Sequence, residues 1–140
     1  MTTHAAEYNK PVPIPDEASR PFFEGAREHR LMLQRCASCG TWHWPVKSRC
    51  PSCLSLDIAW AQASGKGTLY TFALMHQVLH PAFASEIPYN VAEVDLEEGV
   101  RMTSTIVGCP NDNLRIGMPL EVTFEDVTDQ VSLPRFKPTR

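Results

Sequence analysis

Residues 36–53 read Cys36-Ala37-Ser38-Cys39-Gly40-Thr41-Trp42-His43-Trp44-Pro45-Val46-Lys47-Ser48-Arg49-Cys50-Pro51-Ser52-Cys53, and this stretch decides the fold. Four of the chain's five cysteines fall in it as two matched pairs, with ten residues between the pairs. Two residues between cysteines let one tight turn aim both sulfurs at a single point. Two such turns facing each other supply a tetrahedron of thiolates, the arrangement that a structural zinc site prefers. The arm between the pairs is shorter than the roughly 15–20 residues of the common four-cysteine pattern. A short hairpin still brings the knuckles together, so the expectation is one zinc ion on Cys36, Cys39, Cys50 and Cys53 in a small ribbon. Iron also accepts four thiolates, but a structural role needs no redox chemistry. His43 lies between the pairs and reads as a hairpin side chain, because four sulfurs already fill the shell.

Competing readings of the cysteines are weaker. Met1 to Ala6 hold no basic region followed by an apolar core, so neither a secretion leader nor a disulfide framework is expected. A redox dithiol comes as one pair beside a βαβ pattern, which this chain lacks. The cytoplasm, where thiols stay reduced, is the expected compartment.

Working outward, the chain is 140 residues long, enough for one ordinary core or two small modules sharing a surface. No apolar run approaches the ~20 residues of a membrane span. The net charge of −3 argues against nucleic acid as the partner, although Lys47, Arg49, Lys66 and Arg101 could gather locally. On the N-terminal side, Pro11, Pro13 and Pro15 make an extended arm. Pro21 then suits the first turn of a helix with Phe22, Phe23 and Ala26 on its apolar face and a weakening Gly25 within it. The two phenylalanines either cap the core or line a groove. Residues 31–36 alternate as a strand entering the first knuckle, and Ile58 and Trp60 lead out of the second.

From residue 63 onward the sequence reads as β structure. Gly65-Lys66-Gly67 opens a strand to Met75, and residues 89–96 point Ala92, Val94 and Leu96 inward. Glu97-Glu98-Gly99 is a hairpin turn. Val100, Met102, Ser104 and Ile106 face inward on a third strand, Leu120, Val122 and Phe124 on a fourth, and Val131 to Phe136 form a fifth. Five short strands fit a small closed barrel, with an OB-fold ahead of an SH3-like one. The expected fold is mainly β. It has an N-terminal helical arm over 1–34, a rubredoxin-like zinc ribbon over 35–62 and a five-stranded OB barrel over 63–140.

The order of these pieces resembles the acyl-CoA-associated zinc-ribbon/OB-fold proteins, a family first known as a domain of unknown function. Carrying the resemblance are Pro21-Phe22-Phe23-Glu24-Gly25, Leu31 to Cys36, Cys39-Gly40, Pro45, Cys50 to Cys53 and Ser64 to Tyr70. Pro88-Tyr89, Gly99-Val100-Arg101, Gly117 to Leu120 and Leu133 to Pro138 continue it. Two positions depart from the family pattern: Leu54 stands where glycine is usual after the fourth cysteine, and Phe23 where tryptophan is frequent. The resemblance implies an accessory subunit for a thiolase-like enzyme, a thiolase or lipid-transfer-type aldolase that makes or breaks carbon–carbon bonds on acyl-CoA. The partner would supply the catalytic residues, with a two-plus-two heterotetramer as the expected assembly. It also implies contact with acyl-CoA, for which Lys66 and Arg101 are candidate phosphate partners and Phe22 and Phe23 candidate tail contacts.

No catalytic set of this chain's own is legible. Cys109 stands alone in a loop without an identifiable base. His76 and His80 have a metal-pair spacing that works only on a helix, which Pro81 opposes. The alternative to an accessory subunit is an OB-type nucleic-acid binder with Tyr70, Phe72 and Tyr89 as stacking platforms.

Overall fold

The computed structural model describes residues 8–139, so Met1 to Ala6, on which the leader reading rests, lie outside the described residues. Helix α1 (Arg20–Arg27) carries Pro21 in its first turn, where a missing N–H costs nothing. It buries Phe22, Gly25 and Ala26. Gly25 does more than weaken the helix: a Cβ there would stand 2.3 Å from Met32 Cγ, so glycine lets α1 lie close on the next strand. The helix ends in a Schellman turn, with the N–H of Arg30 donating to Gly25 O and that of His29 to Ala26 O. His29 takes the left-handed conformation at φ 61°. Its ring stacks on Phe124 at 5.3 Å, with Nε2 2.9 Å from Asp126 Oδ1.

The ribbon is a three-stranded antiparallel sheet in the order β2-β1-β3, from β1 (Met32–Cys36), β2 (Trp42–His43) and β3 (Ile58–Gln62). Leu33 and Gln34, on opposite faces of β1, are both buried, so the central strand is covered on two sides. The Gln34 amide accepts from Lys47 N and donates to Lys47 O, which pins the arm between the knuckles.

Five further strands are β4 (Lys66–Met75), β5 (Tyr89–Leu96), β6 (Arg101–Ser104), β7 (Pro119–Asp126) and β8 (Ser132–Pro138). They form a curled antiparallel sheet, a half-barrel in the order β6-β5-β4-β7-β8. Ala92, Val94 and Leu96 are buried as their alternation requires. The long β4 bends at a bulge between Leu69 and Thr71. Gly67 permits the tight start of that strand, since a Cβ there would stand 2.4 Å from Asp95 O on β5.

The sheet's two edges meet through one residue that alternation alone does not single out. The β5–β6 register pairs Ala92 with Ser104, so Asn90 would next face Ile106 through the backbone. Instead the Asn90 side chain takes over: it donates to Ile106 O at 3.0 Å and accepts from Ile106 N at 2.7 Å. Freed from β5, the segment after β6 swings across to β8. There Ile106 bridges Phe136 in parallel, with the Phe136 N–H donating to Thr105 O and that of Val107 to Phe136 O. Strand β6 therefore stops at Ser104, short of the expected Ile106, although Ile106 is buried as expected.

Phe22 of the helix, Leu31 and Leu33 of the ribbon and Ala63 share one continuous core with Leu69, Val94, Leu120 and Phe136 of the half-barrel. Phe22 also packs on Trp44 at 4.6 Å between ring centroids.

Candidate metal centre

The two knuckles are built alike, bond for bond. In the first, Gly40 N donates to Cys36 O and Cys36 N to Thr41 O; in the second, Leu54 N donates to Cys50 O and Cys50 N to Ser55 O, all at 2.9 Å. Gly40 and Leu54 both have positive φ, 80° and 66°. The departure at Leu54 thus leaves the turn unchanged and places a leucine where the backbone favours glycine. The knuckles are tied to each other by Ala37 N donating to Asp57 O and by the Ser38 and Ser55 hydroxyls, 2.9 Å apart.

The four sulfurs all lie within 4.8 Å of one another. Cys36 and Cys53 are 3.6 Å apart, as are Cys39 and Cys50. A tetrahedral ion with metal–sulfur bonds of about 2.3 Å needs sulfurs roughly 3.8 Å apart, so the quartet fits zinc. The same separations are far beyond the ~2.05 Å of a disulfide. The backbone is already turned toward charged sulfur, with Cys39 N donating to Cys36 Sγ at 3.4 Å and Ser52 N to Cys50 Sγ at 3.3 Å. Hydrogen bonds from the Thr41 hydroxyl and backbone hold the Cys39 thiol down to about 6. Cys53 feels a lowering bond from the Ser55 backbone, outweighed by desolvation and the other three sulfurs, which push it up to about 12. Four adjacent thiolates repel, and a cation is what lets them ionise together. The centre is also lopsided: Cys36 and Cys50 are buried, Cys39 and Cys53 exposed.

The description "ChsH2, rubredoxin-like zinc ribbon domain" matches residues 23–59, and "ChsH2, C-terminal OB-fold domain" matches 60–125. A solved structure titled "Ltp2-ChsH2(DUF35) aldolase" contains a chain 38% identical to this one, with a TM-score of 0.82 over 91% of this chain and 98% of that one. The chain belongs to the ChsH2 (DUF35) family. Among curated relatives, a "Probable enoyl-CoA hydratase alpha subunit" of Thermomonospora curvata is 38% identical over 92% of this chain. This chain spans only 40% of that relative's length. The "Benzoylsuccinyl-CoA thiolase subunit BbsA" of Thauera aromatica is 28% identical, covering 82% of this chain and 72% of its own.

Other sites expected of a ChsH2-type chain are scattered. Phe22 is 5% exposed inside the core, and Phe23 is half-buried against it at 5.1 Å. Lys66 lies where two open surface depressions meet, the larger one also lined by Glu121 and Lys137. Phe22, Phe23 and Arg101 line neither of them. Arg101 is engaged twice: its guanidinium lies 3.5 Å from the Tyr70 ring centroid and reaches Asp95 at 2.6 and 3.3 Å. His80 caps a 3-10 turn (Pro81–Glu86), its Nδ1 accepting from Ala82 N. Cys109 is half-buried in its loop. No helix among the described residues is long and apolar enough to cross a membrane.

Two features escaped the sequence reading. His43 is 2% exposed, and neither ring nitrogen has a hydrogen-bond partner. Asn90 is the other, a polar strand residue that turns out to be 4% exposed.

Proposed function

We propose that this chain is an accessory, non-catalytic subunit of a thiolase-like acyl-CoA enzyme, a thiolase or aldolase whose reacting groups come from the partner. The observation that carries this reading is the likeness, over nearly the whole chain, to the ChsH2 chain of an aldolase assembly. The BbsA likeness supports it from the thiolase side. The chemistry of the metal centre agrees: four thiolates fill a tetrahedral shell and leave no position at which water could be activated. The reading includes a cytoplasmic, two-plus-two heterotetramer and contact with acyl-CoA. Lys66 is the better placed of the two candidate phosphate partners, because Arg101 is already held by Asp95 and Tyr70. The stacking platforms that a nucleic-acid binder would need are engaged elsewhere. Tyr70 is capped by Arg101, Phe72 packs against the core and Tyr89 packs on Phe83.

Co-expression with a thiolase-like protein encoded beside this chain tests the proposal. The expected result is a stable complex of two copies of each, in which carbon–carbon bond turnover on acyl-CoA depends on both chains. Turnover by the isolated chain, or failure to associate with every neighbouring thiolase-like product, overturns it.

A further inference from the structure

The proline-rich arm ends its described part at a small cage. Lys10 Nζ lies 2.7 Å from Glu86 Oε2 and sits 5.3 and 5.4 Å from the ring centroids of Tyr8 and Phe83. Both rings are within the ~6 Å at which an aromatic face attracts a cation. The Lys10 side chain is only 17% exposed, unlike the freely solvated lysines that make surface ion pairs. Phe83 is braced in turn by Tyr89 at 5.4 Å and by the edge-on ring of His80 at 6.2 Å. A carboxylate and two aromatic faces around one ammonium is the donor set that recognises alkylammonium ions generally. Lys10, Tyr8, Phe83, Glu86 and Tyr89, with Arg135, border a 510 Å³ cavity between the arm and the half-barrel.

We infer that Phe83 and Glu86 form an alkylammonium-binding site that the chain fills with its own Lys10, with Tyr8 of the arm closing over it, and that this self-ligation latches the arm over the cavity. Residues 10 and 86 are far apart in sequence, so the bond exists only while the arm is down. Removing the lysine side chain vacates the place but leaves the carboxylate, Phe83 and its brace intact. An outside alkylammonium then occupies it. This inference is independent of the thiolase-like partnership.

n-Butylammonium chloride, which reproduces the lysine stem and head, is the probe. It is titrated at pH 8, where an ordinary imidazole is neutral, against sodium chloride at equal ionic strength. Backbone amide shifts of Phe83 and Glu86 are followed in the full chain. The Lys10→Ala variant is expected to show saturable shifts, with apparent affinity at least about tenfold above wild type, because the internal competitor is gone. Lys10→Arg is expected to behave as wild type, and Lys10→Ala/Phe83→Ala to lose the response. Absence of a saturable shift in Lys10→Ala, or one undiminished by Phe83→Ala, overturns the site. The latch is checked separately in the Glu86→Gln chain, whose Asn9 and Val12 amides should gain fast-timescale mobility by nitrogen relaxation. Unchanged mobility there overturns the latch.

Discussion

Gly40 and Leu54 occupy equivalent places in the two cysteine knuckles, with the same hydrogen bond behind each and the same left-handed backbone. Only one of them is a glycine. A side chain in that conformation costs roughly 1–2 kcal/mol, and Leu54 recovers little by burial, since it is 63% exposed. Leu54→Gly is therefore expected to stabilise the zinc-loaded chain by about 1 kcal/mol after the extra flexibility of unfolded glycine is subtracted. Gly40→Ala should lose a similar amount. Denaturant unfolding of the two variants beside wild type checks both; a destabilised Leu54→Gly would mean that the leucine makes a contact worth more than its strain.

Asn90 stands in for a strand at the seam of the half-barrel. Asn90→Leu leaves the Ile106 N–H and C=O without partners in a buried place, which should cost about 2–4 kcal/mol. Asn90→Asp keeps an acceptor for the N–H but sets a carboxylate oxygen against the Ile106 carbonyl, so it should also destabilise. Loss of protection at the Ile106 and Phe136 amides in hydrogen exchange would locate the damage at the seam. Unaltered exchange there would show that the chain crosses to β8 without the amide's help.

All three tryptophans, Trp42, Trp44 and Trp60, belong to the ribbon or its exit. Metal binding supplies much of the folding free energy of such a small unit. Chelation is expected to shift tryptophan emission to the red and flatten its near-ultraviolet ellipticity, while much of the half-barrel's β signal persists at a lower melting temperature. Restored emission on adding one equivalent of zinc completes the test. Full retention of the tryptophan signal after verified metal removal would separate the ribbon's fold from its ion.

Burial, followed by the charge of Lys47, pulls the His43 pKa below its ordinary value. A folded-state pKa below the unfolded one means that the unfolded chain takes up the proton first as pH falls. His43 therefore contributes full stability above about pH 6.5, and the contribution is lost as pH drops from there toward its folded pKa. His43→Leu removes an imidazole whose N–H has no partner. The variant should lose less stability between pH 7 and 5 than wild type, the cysteines contributing to both chains alike. Parallel pH profiles for the two chains would contradict this.

The cysteine spacing carried the ribbon because a chelate is a local constraint, written within 18 residues. The strands were legible for a similar reason: Ala92, Val94 and Leu96 alternate with polar residues, and alternation survives whatever the partner strand is. Asn90 was not, because a polar residue in the same alternation reads as surface until the partner strand is known to leave. Arg101 is a candidate phosphate partner by its place beside a strand, and the Glu97–Gly99 turn also sets it across from Asp95. That register alone implies the pair. Lys10 and Phe83 meet through tertiary packing alone, and nothing local to either residue announces it. The sequence leaves Phe22 open between core and groove; in the fold it lies buried in the core against Trp44.

Leu31, Leu33 and Ala63 share their burial with the half-barrel, and the division between the two family descriptions falls inside β3. A cut there would split a strand and leave both halves with a bare apolar face. What can be transplanted between longer proteins is the whole of residues 20–138, moved as a single cartridge. A similar stretch makes up 40% of the length of the "Probable enoyl-CoA hydratase alpha subunit" of Thermomonospora curvata, which fits that kind of portability. Chimaeras that exchange the entire cartridge should keep its stability, and those joined at residue 60 should melt at a markedly lower temperature.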